Sequence, residues 1–300
     1  MAQREHEEHP LKLIIMSATI DPEKFKKYFH CAEYLSCPER QFPVNVKYDS
    51  DIEDLLATLT LEDKFADQTV KTRFDLKKAI DYVLNINRID KDGKILVFLT
   101  GADEIDCCAQ DFEVEARKAM SQTRQLLILR AYAKMPWREL QQILEKTPQG
   151  QRKVILATNL CESSITVDGV RFVIDSGLVK ILTFAHDTLI EVLEQQRISR
   201  EQADQRKGRA GRTATGVCYR LYSESIFNLM PVSQRPALLR ENLCSTMLVL
   251  KMIGVSDPSK FEFIDPPDAT HVGFALENLT LLGALDANGE VTPLGKLVCL

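Results

Sequence analysis

Arg206, Arg209 and Arg212 recur at three-residue spacing in QRKGRAGR (Gln205 to Arg212), with Gly208, Ala210 and Gly211 between them. A guanidinium is planar, forked and always charged, so arginine suits phosphate. On one helix Arg209 and Arg212 share a face, and two guanidiniums can reach one anion. Gln205 falls one turn before Arg209, where its amide can orient a water. Glycine costs a helix about 1 kcal/mol, and a face that is merely solvated has no use for two of them. Small residues there let the backbone approach a partner surface. The pattern points to phosphoryl chemistry.

A second cluster, ATNLCESSITVDG (Ala157 to Gly169), follows an apolar run directly. Thr158, Asn159, Glu162, Ser163, Ser164 and Thr166 place hydroxyls, an amide and a carboxylate within one short stretch. Such groups cap helices and present donors to phosphate, and capping alone accounts for one or two of them. Two further segments also follow apolar runs: MSATID (Met16 to Asp21) and FLTGADEID (Phe98 to Asp106). In the latter Asp103 and Glu104 imitate a metal-binding acidic pair. Thr100, Gly101 and Ala102 intervene, so the segment is predicted instead to be the acidic first turn of a helix. G-x-x-x-x-G-K-S/T occurs nowhere, so the sequence predicts no triphosphate cradle of its own.

Five short apolar runs must position these groups: Leu13 to Met16, Ile95 to Leu99, Val154 to Ala157, Phe172 to Ile174 and Val217 to Leu221. They are continuous rather than alternating, as strands of a parallel sheet covered on both faces are. Helical stripes are predicted at Leu76 to Ile86, Leu126 to Ala133 and Trp137 to Leu144, the last two separated at Pro136. Strand and helix in alternation predict an α/β domain. After about residue 225 the pattern changes to a long helix at Leu238 to Ile253, a break in FEFIDPPD, and a helix at Phe274 to Leu282 ending at Gly283. A hairpin is then predicted at Leu285 to Val291, and this set fits a winged-helix module. Asp49 to Asp75 is charged and weakly patterned, a loop or linker.

Composition narrows the function classes. The 300 residues are 45% hydrophobic and 27% charged, which excludes wholesale disorder. No apolar run reaches about eighteen residues and the start, MAQREHEEHP, is charged, so neither a membrane span nor a secretory signal is expected. With a net charge of −5, any nucleic-acid footprint must be local. Arg197 to Arg212 supplies one, with six basic residues against two acidic. The eight cysteines form no C-x-x-C pair and are expected to be reduced thiols. His6 and His9 beside Glu7 and Glu8 are read as a solvated face, so no metal site is predicted.

In this order the segments resemble the DEAH-box RNA helicases of superfamily 2, over nearly the whole chain. Ser17 to Thr19 is similar to motif III, Phe98 to Gly101 to motif IV, Thr158 to Gly169 to motif V, and QRKGRAGR to motif VI. PALLRENL, FIDPP and LLGAL resemble the family's winged-helix module, and TPLG (Thr292 to Gly295) the opening of its helical ratchet domain. The resemblance implies the tail of a first RecA-like domain at 1–42 and a second RecA-like domain at 43–225. It implies a winged helix at 226–292 and the start of the ratchet domain at 293–300. Arg209 and Arg212 would contact the γ-phosphate of ATP, held with Mg2+ mainly by the N-terminal RecA-like domain, while Gln205 positions the attacking water. Asp168 would meet the nucleotide's sugar or a water on its metal ion, with Thr166 and Gly208 also on the nucleotide side. Thr100, Gly101, Thr158, Asn159 and Ser163 would touch RNA, and Ser17 and Thr19 would couple the domains. Leu144 stands where the family has a phenylalanine that stacks on the base, and Cys161 where it has alanine.

The expected function is therefore the C-terminal half of an ATP-dependent RNA helicase, nuclear or cytoplasmic and inactive alone for want of a P-loop. The resemblance also implies a surface for glycine-rich activator proteins. The alternative is a truncated, non-catalytic RNA- or protein-binding adaptor. A remoter one supplies arginines in trans to a P-loop partner.

Overall fold

A parallel strand buries both faces, so its sequence reads as a short apolar run, and the helices connecting such strands cover it. The computed structural model follows this rule; it describes residues 12–17, 21–30, 33–37, 41–49, 76–90, 92–119, 124–185 and 188–299. They fall into two compact units, the first within residues 12–37 and the second within 41–299. The first holds helix α1 (Pro22–Phe29), whose N-cap Asp21 accepts from the amides of Glu23 and Lys24.

The second unit runs β1 (Val44–Tyr48), α2 (Leu76–Ile89), β2 (Lys94–Phe98), α3 (Ala102–Ala119), β3 (Gln125–Ala131), α4 (Trp137–Leu144), β4 (Gln151–Ala157), α5 (Leu160–Ser163) and β5 (Val170–Asp175). An antiparallel hairpin of β6 (Leu178–Ala185) and β7 (Ile190–Arg197) interrupts the alternation, before α6 (Arg200–Gly208) and β8 (Gly216–Arg220). The strands other than that hairpin form one all-parallel sheet in the order β1-β8-β5-β2-β4-β3. Ile95 and Val97 face a core with Val83, Ile105 and Phe112, while Leu96 and Phe98 face a second with Ile143, Ile155 and Val173. The sheet is thus the predicted α/β layer.

Arg152 and Lys153, at the start of β4, are both almost fully buried. Neighbours in a strand point to opposite faces, and each of these side chains finds a helix end on its own face. Arg152 donates through Nη1 to the Ile86 carbonyl at 3.0 Å and through Nη2 to the Asp90 carbonyl. Lys153 Nζ donates to the carbonyls of Gln142 and Glu145. These groups lie at the C-terminal ends of α2 and α4, where carbonyls lack helical partners and the dipole favours a cation.

After the sheet come α7 (Glu224–Leu229), α8 (Cys244–Met252), α9 (Ala269–Leu281) and α10 (Pro293–Val298). Leu243, Met247, Leu248, Val272, Leu279 and Leu285 form their own core. The hairpin predicted at Leu285 to Val291 is a single antiparallel bridge between those two residues. Its turn is held by the Asp286 carboxylate, which accepts from the amides of Asn288 and Glu290.

Three predicted elements are corrected. Leu13 to Met16 is not a strand, and Leu13, Ile14 and Met16 are exposed, with no partner strand among the described residues. Leu126 to Ala133 is not a helix: Gln125–Ala131 pairs along its whole length with Gln151–Ala157. A short apolar run fits either period, and the pairing decides. The helix predicted over Leu238 to Ile253 shortens to α8, because the Asn242 side chain accepts from the Cys244 amide and starts it there. A separate 3-10 turn occupies Ala237–Leu239. Strand β1 and the β6–β7 hairpin are additions to the predicted set. His6, His9, Thr19 and residues 50–75 of the predicted linker lie outside the described residues.

QRKGRAGR is likewise not one helix. Helix α6 ends at Gly208, and Arg209–Gly211 is a 3-10 turn. Its two glycines differ in what they permit. A Cβ on Gly211 would lie 2.6 Å from the Phe42 carbonyl oxygen and 2.8 Å from Val44 Cγ2. The partner that Gly211 admits is the chain's own lead-in to β1, and the Phe42 amide donates to the Gly211 carbonyl at 2.8 Å. A Cβ on Gly208 would touch only the Gln41 side chain, no nearer than 3.6 Å. We therefore expect opposite signs from the same substitution: Gly211→Ala should lose about 1–3 kcal/mol by overpacking. Gly208→Ala should be neutral or gain up to about 1 kcal/mol from helix propensity. Urea denaturation of the two variants checks this, and equal effects would refute it.

Candidate functional site

The chain from Thr158 to Asp168 passes from the C-terminal end of β4 to the N-terminal end of β5, and the arginine segment packs along it. Arg206 is fully buried and forks between two carboxylates: Nε to Glu162 Oε2 at 3.0 Å and Nη1 to Asp175 Oδ1 at 2.8 Å. Nη2 donates to the Leu178 carbonyl at 3.1 Å, and the guanidinium lies 4.8 Å from the Phe98 ring centroid. Asp175 also accepts from the Tyr222 hydroxyl at 2.8 Å and from the Gly177 amide at 3.0 Å. Burial alone would lower the pKa of Arg206, but Asp175 and Glu162 more than offset it and hold the charge on. Burial pushes the Glu162 carboxyl up, and the Arg206 charge opposes this only in part.

On this base sit the two other arginines. Arg209 is half-buried and donates through Nη2 to the backbone carbonyl of Glu162. Arg212 donates through Nη1 to Thr166 Oγ1 at 2.7 Å. The 3-10 turn brings residues three apart into line, so both guanidiniums still reach one segment, 162–166. Arg212 pairs with no carboxylate among the described residues, and Thr166 and Asp168 beside it are exposed. Gln205 lies half-buried in the last turn of α6 and Gly208 is buried at its end. Leu144 is exposed at the end of α4. Cys161 is a buried thiol whose pKa burial pushes up to about 12, so it is an inert packing group.

The other predicted set gathers at the C-terminal ends of two adjacent parallel strands, where open α/β sheets present ligand-facing loops. Phe98 pairs with Ala157, which puts Thr100 and Gly101 beside Thr158 and Asn159. Thr100 is buried, and both its amide and its hydroxyl donate to Glu104 Oε2, at 2.7 and 2.6 Å. Its hydroxyl proton is thus spent on capping α3, whose acidic first turn holds Asp103 and Glu104 as predicted. Thr158 Oγ1 accepts from the Leu160 amide, and Asn159 is exposed. Ser163 lies in α5, with its side chain outside the described residues. Ser17 belongs to the first unit.

Sequence reasoning missed three contributors. Glu162 stands in the polar cluster of residues 157–169, and nothing in its spacing from Asp175 and Arg206 signals that the three pair. Arg220, also buried, donates to the Tyr48 hydroxyl at 2.7 Å and to Asp204 at 3.1 Å. Lys180, a lone cation in the apolar run LVKILTFA, lies with its Nζ 3.2 Å from where a Cβ on Gly101 would stand. Among the described residues no group of three or more His, Cys, Asp or Glu side chains could hold a metal ion. No described cysteine forms a disulfide, and no described helix is long and apolar enough to cross a membrane.

The chain is similar to known helicases in sequence and in fold. Residues 76–214 match the helicase conserved C-terminal domain, and residues 275–300 the helicase-associated winged-helix domain (HA2). The chain is 40% identical over 287 residues to the pre-mRNA-splicing factor ATP-dependent RNA helicase prp22 of Schizosaccharomyces pombe (strain 972 / ATCC 24843), a match spanning 95% of this chain and 23% of that protein. It superposes on the crystal structure of the Escherichia coli DEAH/RHA helicase HrpB with a TM-score of 0.78 at 27% identity. That match covers 96% of this chain and 33% of that one. The chain therefore spans about a quarter to a third of the length of these relatives.

Removing Arg206 would strand two buried carboxylates. We expect Arg206→Met to cost about 3–5 kcal/mol of stability. Arg206→Lys should recover less than half of it, because one ammonium cannot reproduce the fork. Guanidinium unfolding of both variants checks the geometry; full rescue by lysine would refute it.

Proposed function

The chain belongs to the DEAH-box family of superfamily 2 helicases, with a RecA-like sheet and a winged helix, and we propose that it is the C-terminal half of an ATP-driven RNA-remodelling motor. The observation that carries this reading is the pair of arginines on one turn, Arg209 and Arg212, backed by the buried Arg206 fork and aimed along the segment that ends at Asp168. Arg212, with a neutral hydroxyl as its partner and exposed Thr166 and Asp168 beside it, fits an anionic nucleotide. ATP with Mg2+, held mainly by the N-terminal RecA-like domain, supplies the phosphoryl group and the divalent charge. Arg209 and Arg212 donate to the terminal phosphate oxygens, Gln205 orients the attacking water and Asp168 accepts from the sugar, with Thr166 and Gly208 lining that side. Leu144 covers the base without stacking on it. Phosphoryl transfer is governed by positioning and charge, and an arginine finger is worth about 10³–10⁵ in rate. Fingers on one domain and cradle on the other make hydrolysis depend on closure.

RNA lies across the C-terminal ends of β2 and β4 in this reading. Gly101, Thr158 and Asn159 offer backbone and side-chain donors, Ser163 joins them in this reading, Thr100 positions Gly101 through its cap, and Lys180 adds a charge. Ser17 and Thr19 couple the first RecA-like domain, 1–42, to the second, 43–225; the winged helix spans 226–292 and the ratchet domain opens at 293. The winged helix offers the surface for a glycine-rich activator. The splicing-factor description of the fission-yeast relative supports residence in the nucleus.

In the full-length protein Arg212→Ala should lower RNA-stimulated ATP turnover by about 10³-fold and leave RNA affinity within about twofold. Near-normal turnover would overturn the finger assignment and favour an adaptor. Lys180→Gln should do the reverse: turnover at saturating RNA is kept, affinity falls, and the slope of log affinity against log salt drops by about one. An unchanged slope would remove Lys180 from the RNA path.

A further inference from the structure

At the N-terminal ends of β2 to β5, the end of the sheet opposite Gly101 and Thr158, lies a cavity of about 380 Å³. Its wall carries five cations, Lys94, Arg124, Arg152, Lys153 and Arg171, against one carboxylate, Asp92. The volume falls in the lower range of small-ligand pockets. We propose that this cavity binds a small phosphate-bearing anion, gripped by Lys94 and Arg171 over the buried Arg152.

The first argument is uncompensated charge. Arg152 is 2% exposed and Lys153 1%. Neither forms an ion pair among the described residues; their hydrogen bonds go to backbone carbonyls. Arg152 Nε, equally buried, has no hydrogen-bond partner among the described residues. A buried cation with no direct ion pair is costly, and a bound anion offsets that cost.

The second is donors held ready. Arg171 Nε donates to the Thr215 carbonyl at 3.2 Å, while its two Nη nitrogens have no hydrogen-bond partner among the described residues. Its stem is fixed across Gly93, where a Cβ would lie 2.6 Å from Arg171 Cβ and 2.8 Å from Cδ, and which takes φ +99°. Lys94 Nζ has no hydrogen-bond or ion-pair partner among the described residues; the Asp168 charge attracts it and the Lys153 charge repels it. Arg124 is held 3.8 Å from Asp92.

The third is mutual repulsion. Burial lowers the pKa of Lys153 and the Lys94 charge lowers it further, against the charge of Glu145. Burial also lowers that of Arg152, with Arg124 and Arg171 pushing the same way against Asp90 and Asp92. A polyanion offsets the repulsion among these cations at once, whereas a neutral ligand offsets none of it. Arg209 and Arg212 do not line the cavity, although Gly169 and Thr213, the residues after Asp168 and Arg212, do.

Calorimetric titration of the full chain with inorganic tripolyphosphate, at ionic strength fixed with NaCl, tests this. Saturable binding is expected, weakened at least about tenfold by Lys94→Gln/Arg171→Gln, and changed by less than about twofold by Arg212→Gln or by Arg138→Gln, an exposed residue at the start of α4 outside the cavity wall. Circular dichroism and thermal melting verify the fold of each variant, and the single Arg171→Gln variant, expected at an intermediate affinity, serves if the double variant unfolds. Absence of saturable binding, or equal weakening by Arg138→Gln, would overturn the proposal. So would weakening by Arg212→Gln alone, which would put the anion on the fingers instead. Single-stranded RNA that displaces tripolyphosphate at equal phosphate concentration would overturn it in favour of a nucleic-acid backbone.

Discussion

One buried guanidinium organises the functional half of this molecule. Arg206 ties Glu162, on the segment after β4, to Asp175 at the end of β5, and reaches the first residue of β6 through the Leu178 carbonyl. Three separate stretches of chain thus meet on one side chain with a fixed fork. Because two carboxylates share it in a dry site, the guanidinium cannot leave without stranding both of them. The fork sets where residues 162–166 run, and these in turn receive Arg209 and Arg212. Arginines at identical spacing, three residues apart, thus divide into one foundation and two presented donors, and only the depth of burial separates them.

Much of the architecture was legible because it rests on local regularities. Four of the five apolar runs became parallel strands, Trp137–Leu144 is a helix as the break at Pro136 requires, and Gly283 terminates α9 with φ +72°. The failures have a common cause, which is dependence on distant partners. Residues 125–131 satisfy a helical stripe equally well until β4 lies alongside them. Leu13 to Met16 has strand chemistry but no neighbour among the described residues. Strand β1 alternates half-buried and exposed positions, so no apolar run marks it, and the polar outer strand β7 hides the hairpin.

The candidate site divides in the same way. Arg209, Arg212, Thr166 and Asp168 could be picked out as types and spacings, and the fold brings them to one edge. Arg206 could not be told from its neighbours, since its partners lie 31 and 44 residues away. Thr100 illustrates the converse: a hydroxyl that looks available in sequence is consumed by Glu104 four residues on. Lys180 belongs to an inserted hairpin, and its nearness to Gly101 depends on how that hairpin folds back.

The close approach at Gly211 links two things that lie far apart in sequence. The Phe42 amide is bonded to the Gly211 carbonyl, and the Gly216 amide to the carbonyl of Pro43. The turn carrying Arg209 is thereby stitched to the stretch of backbone leading into β1. The two are in mechanical series. Tension arriving along the chain at Gln41 is delivered to the arginine turn before it reaches the sheet, and the stiffness of that joint is set by a glycine too small to keep the turn and the incoming backbone apart.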